Sequence, residues 1–234
     1  MKLAITLHTY QRPDGMTPTY LNRAMSSIFS QTYQDFKLFV IGDKYEDEYE
    51  LFNIINKYPL NRLYYENLPY AKEREKYINN KHALWCAGGV NAINYAIDKC
   101  LENGFEYVCH LDHDDYWTPE HLESINNVIN KTNGDWFCTR SLHINGNLPR
   151  VITDQEYVEF LPEACGLINS STCINFKKIP LRFRDVLEED GKAYPADADL
   201  WKRCATYIKD NNLKSYFINK LTCVHDLEGY SECS

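Results

Sequence analysis

Long apolar runs are missing from this sequence. Near the start only Leu3 to Leu7 runs apolar before polar His8-Thr9, too short for the core of a signal peptide or a membrane span, and no later segment is long enough. The expectation is a chain without an integral membrane segment, working in solution in the cytoplasm. An excess of basic residues is missing too: 25 Lys and Arg stand against 33 Asp and Glu, for a net charge of −8. A surface of that sign repels phosphate backbones, so nucleic acid is not an expected partner. C-x-x-C pairs are absent, and the nine cysteines, an odd number spread from Cys86 to Cys233, fit neither a disulfide framework nor a zinc ribbon. That usage points to a reducing compartment. Internal repeats and low-complexity tracts are also lacking. What remains is 234 residues, 44% hydrophobic and 14% aromatic, enough to bury one substantial core in a single domain.

Hydrophobic periodicity sorts the chain into alternating strands and helices. Leu3 to Leu7 reads as a buried strand feeding a loop marked by Pro13, Gly15 and Pro18. Thr17 as cap and Pro18 as first residue open a helix with Leu21, Ala24, Met25 and Ile28 on one face. Phe36 to Ile41 is a second strand running into Gly42-Asp43, Glu46 to Lys57 a half-buried helix, and Leu63 to Tyr65 a third strand. The charged stretch Lys72 to Lys81, before Gly88-Gly89, is expected to be a mobile loop near the ligand site. Val90, Ile93, Ile97, Cys100 and Leu101 then line one side of a helix that Asn103-Gly104 stops. Strand four, Phe105 to Leu111, delivers Asp112-His113-Asp114-Asp115-Tyr116-Trp117, and Pro119 starts a helix bearing Leu122, Ile125 and Ile129. The alternation predicts an α/β fold, a mainly parallel central sheet flanked by helices, with ligand groups at the carboxyl ends of the strands. Beyond Gly134 the pattern is less regular. Asp135 to His143 is strand-like, Asn145-Gly146 a hairpin turn with Val151-Ile152 as its return strand, and Cys173 to Phe176 another strand. Asp199 to Ile208 reads as a helix and Tyr216 to Leu221 as the last strand.

Asp112, Asp114 and Asp115 crowd three carboxylates into four residues at a strand end. Such like charges need solvent, donors or a cation, and hard ions such as Mg²⁺ or Mn²⁺ prefer carboxylate and phosphate oxygens together. A solvated acidic loop before a helix is the alternative. Asp43, at the end of strand two, could accept a hydrogen bond from a base or ribose, or cap the next helix. In Pro195-Ala196-Asp197-Ala198-Asp199, Asp199 is placed to cap the following helix, which leaves Asp197 as candidate base for an acceptor hydroxyl. Both could instead be caps. His225, after the last strand, could complete a carboxylate metal site or be an ordinary structural histidine.

These segments together resemble glycosyltransferase family 2, whose members have the GT-A fold. Leu7-His8-Thr9-Tyr10-Gln11-Arg12-Pro13 resembles the family's opening P-T-Y-N-R-P, and Ser27-Ile28-Phe29-Ser30-Gln31-Thr32-Tyr33-Gln34-Asp35-Phe36 is similar to its S-I-L-x-Q-T-Y-x-D-F. Phe39 to Asp43 resembles the strand ending in a nucleotide-binding aspartate, Leu111 to Trp117 the L-D-x-D-D-x-W segment, Ala196 to Trp201 the E-D-x-D-L-W segment, and Val224-His225 the late histidine. The resemblance implies an inverting transferase that moves a sugar from a nucleoside-diphosphate donor, most commonly a uridine diphosphate sugar, to an acceptor hydroxyl with a divalent metal, Mn²⁺ or Mg²⁺. It assigns Thr9, Tyr10, Arg12, Asp43, Asn91 and Asp112 to the nucleotide sugar. Asp114, His225 and Asp112 go to the metal, and Asp197 is the catalytic base. Residues 1–117 would form the donor-binding half and residues 118–234 the acceptor-side half, for a glycan, lipid-linked or protein acceptor. The chain departs from the pattern at His8 for proline, Gln11 for asparagine, Ala196 for glutamate, Lys44-Tyr45 for G-S or N-S, and Val90-Asn91 for R-N.

Three other classes fit these residues less well. A haloacid-type phosphatase uses D-x-D on its first strand, whereas here the motif follows the fourth, with Tyr116-Trp117 where a small hydroxyl residue is expected. A nucleotidyltransferase wants a glycine-rich basic loop after strand one, and His8 to Arg12 offers one cation and no glycine. A non-catalytic nucleotide- or glycan-binding domain of the same fold would need neither Asp197 nor turnover.

Overall fold

The computed structural model describes residues 2–187 and 193–225; Cys233 lies outside them. The first half alternates as the periodicity predicts: β1 (Leu3–Thr9), α1 (Thr17–Phe29), β2 (Phe36–Asp43), α2 (Glu48–Ile55), β3 (Leu63–Leu68), α3 (Lys72–Lys76), α4 (Lys81–Ala87), α5 (Val90–Glu102) and β4 (Tyr107–Asp112). The second half comprises β5 (Tyr116–Trp117), α6 (His121–Thr132), β6 (Trp136–Leu142), β7 (Tyr157–Glu159), β8 (Thr172–Asn175), β9 (Val186–Leu187), β10 (Ala193–Tyr194), α7 (Ala196–Asp210) and β11 (Ser215–Val224).

Among the described residues, nine strands form one sheet in the order β3-β2-β1-β4-β8-β6-β11-β5, with β7 on β11. β3, β2, β1 and β4 are parallel, and β11 is parallel to β6. Only β8 runs against both of its neighbours, β4 and β6, so those two point the same way. Successive side chains of a strand face opposite sides of the sheet, and two cores follow from that period. Leu3, Ile5, Leu7, Leu38 and Val40 pack with Leu21, Met25 and Ile28 of α1, Leu51 and Ile54 of α2, and Leu122 and Ile125 of α6. Ala4, Phe39, Val108, Trp136 and Phe217 pack on the other face with Ile93 and Ile97 of α5 and Leu200, Trp201 and Cys204 of α7. With α1 and α5 on opposite faces, the chain turns outward on both sides of β1, which opens a crevice above the carboxyl ends of β1 and β4. The described cysteines are all free thiols, buried except for Cys165. No described helix is long and apolar enough to cross a membrane.

Several local expectations are corrected. The charged stretch 72–81 is not a plain loop but holds α3 and the start of α4, because Asn80 caps α4 by accepting from the Ala83 amide at 3.0 Å and the buried Glu73 docks on α5. Val151-Ile152 is not a return strand. The turn at Asn145-Gly146 is closed by a single bridge between Ser141 and Leu148, and Ile152 is fully exposed. Thr17 is inside α1, its hydroxyl donating to the Tyr10 carbonyl at 3.0 Å and accepting from the Arg12 amide at 2.9 Å, which shapes the loop after β1. Pro119 precedes α6, whose capping residue is Glu120. Asp199 does not cap α7: Pro195 does, and the Asp199 carboxylate instead pairs with Arg184 and Arg203, each at 2.6 Å. Burial pushes its pKa up, but hydrogen bonds and charge from the two arginines together outweigh this and hold it below the usual carboxylate range.

Candidate active site

Register sets the first layer of the site. Thr9 lies opposite Gly42 and His8 opposite Asp112, so the ends of β1, β2 and β4 present Thr9, Asp43 and Asp112 side by side. Asp43 is 1% exposed. Its Oδ2 accepts from Arg74 Nε at 2.9 Å, and the same guanidinium donates to the Asp43 carbonyl and lies 4.6 Å from the Tyr10 ring centroid. Burial raises the Asp43 pKa above its ordinary value, and Arg74 only partly offsets this. Asp43 is not a helix cap, since Asp47 fills that place on α2 by accepting from the Glu50 amide at 2.9 Å. Lys44 holds φ +52, the left-handed region that glycine and asparagine enter at least cost, and the pattern this segment resembles has G-S or N-S there.

Among the described residues, three buried polar atoms around this corner have no hydrogen-bond partner: Thr9 Oγ1, Asp43 Oδ1 and Asn91 Nδ2. Asn91 is near the start of α5, where its backbone amide donates to Glu73 Oε2 at 3.1 Å. Gly89, at φ +84, brings the backbone so close to His8 that an added Cβ would lie 2.7 Å from its ring. Burial, with His113 nearby, lowers the His8 pKa to about 4, so its ring is neutral. A buried unsatisfied polar atom costs about 1–3 kcal/mol. Native folds keep few of them, and a cluster at a strand-end crevice marks a place where a ligand supplies the missing partners.

The second layer surrounds the three carboxylates after β4. Asp115 is fully buried, which removes the solvated-loop alternative for it. Ser170 Oγ donates to Asp115 Oδ2 at 2.5 Å and accepts from the Asp112 amide at 3.0 Å, while Asn169 Nδ2 donates to Asp112 Oδ1 at 3.1 Å. Burial first, then the charges of Asp115 and Asp114, push the Asp112 pKa well up. Asp114 is more open: Arg12 Nη1 lies 3.5 Å from its carboxylate, with Arg12 otherwise held by Asp14 at 2.7 Å. Arg23 donates to the Asp114 carbonyl. His225 Nδ1 lies 2.9 Å from Asp115 Oδ1. Burial works against the charge on His225, but Asp115, Asp114 and Asp112 outweigh it and raise its pKa to about 9.

Among the described residues no three His, Cys, Asp or Glu side chains converge as a ready cage for a metal ion. The donor set still suits a hard divalent cation, because Mg²⁺-type ions commonly take one or two carboxylates and complete their shell with substrate phosphates and water. A carboxylate on the far nitrogen of a histidine, as Asp115 is on His225, is the usual support of a metal-bound imidazole. Asp197, the second residue of α7, accepts from the Ala198 amide at 2.7 Å, and burial raises its pKa while the His225 charge pulls it down. His225 thus stands in electrostatic contact with both the carboxylate cluster and Asp197. Sequence reading missed Arg74, Asn169, Ser170 and Glu73, which reach the site from distant segments with no local pattern to announce them.

The glycosyl transferase family 2 model matches residues 5–191. An uncharacterized glycosyltransferase of Acanthamoeba polyphaga mimivirus is 31% identical over 238 residues, covering 98% of this chain and 95% of that protein. A succinoglycan biosynthesis protein of Rhizobium meliloti, ExoW, is 31% identical over 123 residues, 52% of this chain and 32% of its own length. Among solved structures, S. aureus TarS in complex with UDP superposes with a TM-score of 0.69 at 16% identity, covering 96% of this chain and 60% of that one. The mannosyltransferase PcManGT from Pyrobaculum calidifontis, in complex with GDP-Man and Mn²⁺, gives 0.61 at 11% identity, with 97% and 58% covered. These structures share the mostly parallel α/β fold. With the family match over most of its length and a relative aligned nearly end to end, the chain belongs to glycosyl transferase family 2 and is a glycosyltransferase.

Proposed function

We propose that the protein is an inverting transferase that moves a sugar from a nucleoside-diphosphate sugar, with uridine as the base, to an acceptor hydroxyl. The observation that carries the proposal is the trio of partnerless buried atoms, Thr9 Oγ1, Asp43 Oδ1 and Asn91 Nδ2, beside the Tyr10 ring and the Arg74 guanidinium. A planar base stacked on Tyr10 would donate a ring N–H to Asp43 Oδ1, and Thr9 and Asn91 would take ribose or phosphate oxygens. Arg12 is near enough to Asp114 to meet the diphosphate, and Asp112 would serve the ribose side. The UDP in the TarS complex supports uridine, while the GDP-Man in the mannosyltransferase shows how the base varies over this fold.

Asp114, His225 and Asp112 would hold Mn²⁺ or Mg²⁺ when the donor is present, and that ion would offset the charge of the departing diphosphate. In the chemical step Asp197 takes the proton of the acceptor hydroxyl. The acceptor oxygen bonds to the anomeric carbon from the face opposite the diphosphate, and the bond to the diphosphate oxygen breaks with its electron pair, inverting the centre. A carboxylate whose pKa burial has raised is better matched to this proton transfer than an exposed one. Residues 1–117 would then serve the donor and residues 118–234 the acceptor. The test is release of nucleoside diphosphate from a panel of sugar nucleotides with Mn²⁺. Metal-dependent turnover of one uridine donor is expected; binding without turnover in the presence of any acceptor would favour a non-catalytic binding domain.

A further inference from the structure

A cavity of about 510 Å³ has His143, Asn145, Arg150, Phe160, Glu163 and Cys165 in its wall. That volume falls in the range of about 300–1,000 Å³ typical of ligand sites. Its position follows from the sheet. β6 points the same way as β4, so His143, just past the end of β6, is on the same edge as Asp112. The His143 ring stacks on His225, with centroids 5.5 Å apart and planes 12° from parallel. The cavity therefore begins one ring away from the group that touches Asp115 and senses Asp197.

Its chemistry is that of a saccharide subsite. Asn145 and Glu163 offer side-chain donors and acceptors for hydroxyl groups, with Phe160 as an apolar wall. Arg150 adds something more specific. The other arginines are engaged: Arg12 with Asp14, Arg23 with the Asp114 carbonyl, Arg62 with Gln34, Arg74 with Asp43, Arg140 with Asn219, Arg182 with Asp98, and Arg184 and Arg203 with Asp199. Among the described residues the exposed Arg150 guanidinium has no ion pair or hydrogen bond. An uncommitted planar fork in a polar cavity is the donor set for a bidentate carboxylate or phosphate.

We propose that this cavity is the acceptor subsite and that Arg150 selects an acceptor saccharide bearing an anionic group, a carboxylate or a phosphate. The proposal rests on the transferase reading above, and its test separates the two. Saturation-transfer NMR on the wild type, with and without UDP and Mn²⁺, compares glucose, glucuronate and glucose 6-phosphate, which differ only at carbon six. Glucuronate or glucose 6-phosphate should bind at least about tenfold more tightly than glucose, as a charge-assisted pair requires, and which of them wins names the anion. Arg150→Ala should erase the preference, and Arg150→Lys, which keeps the charge and loses the fork, should restore part of it. Equal binding of all three sugars, or a preference that survives Arg150→Ala, overturns the proposal. UDP titrated into the wild type reads the donor site independently: failure there sinks the uridine-donor reading proposed above, whereas normal UDP binding with no anionic preference sinks only this one.

Discussion

Replacing Thr9 by valine should make the protein more stable and worse at binding its nucleotide. Thr9 is fully buried at the end of β1, and its hydroxyl has no hydrogen-bond partner among the described residues. Valine has nearly the same shape, so packing is retained and an unsatisfied polar atom is removed. That atom costs about 1–3 kcal/mol, and at this chain length each kcal/mol moves the melting temperature by about 2–4 °C. A rise of about 2–12 °C in the ligand-free protein is expected. A neutral hydrogen bond to the nucleotide contributes about 0.5–1.5 kcal/mol, so affinity should fall roughly 2–10-fold. The opposite signs are the diagnostic, since ordinary damage lowers both quantities. Thr6 on the same strand is the control. It is equally buried, but its hydroxyl lies 2.7 Å from His110 Nδ1, so Thr6→Val should destabilise. Differential scanning calorimetry and isothermal titration on the two variants make the comparison. A lower melting temperature for Thr9→Val, or an unchanged nucleotide affinity, would refute the idea that this hydroxyl is held in reserve for a ligand.

Other consequences are equally concrete. Asp197→Asn should lower kcat by roughly 10²–10⁴ while leaving donor affinity near wild type, as loss of a general base does; comparable turnover in the variant would remove Asp197 from the chemistry. Gly89→Ala places a Cβ 2.7 Å from His8 at φ +84, and should cost at least about 1 kcal/mol of stability and weaken nucleotide binding, read by urea unfolding and titration. His121 is buried with its pKa lowered by burial to about 3, below the unfolded value of about 6.5, so its neutral form adds stability above pH 6.5 that is lost as pH falls toward 3. At about 1.4 kcal/mol per pH unit, His121→Gln should lose about 2 kcal/mol less than wild type between pH 6.5 and 5; identical losses would show that this ring does not set the acid sensitivity.

Much of the fold was legible because its determinants are local. Apolar runs of strand length ending in polar residues located β1, β2 and β4, and helical spacing located α1, α5 and α6. The aspartates themselves were visible for the same reason, since carboxylates crowded at a strand end need no partner to be noticed. What surrounds them was not. Ser170 and Asn169 meet the Asp112–Asp115 segment across more than fifty residues, and His225 meets Asp115 across a separation of 110. Arg74 lay in a stretch whose charges suggested a loop, yet its pairing with Asp43 and contact with Tyr10 are decided by the sheet. Asp199 shows the reverse error: the sequence favours a capping role, and two arginines, one of them on the same helix, claim it instead. The antiparallel β8 between β4 and β6 also carries no local mark, because strand order is set by long-range pairing rather than by composition.

The central claim is that the ends of β1, β2 and β4 form a nucleotide-diphosphate site completed by a divalent metal at Asp114. It is tested most directly by calorimetric titration of UDP, GDP, CDP and ADP into the wild type and Asp114→Ala, with Mn²⁺ and with chelator. The account predicts that UDP binds the wild type with Mn²⁺, and that chelator or the substitution weakens this binding by tenfold or more. Absence of nucleotide binding under every condition, or UDP binding indifferent to both metal and Asp114, would contradict it.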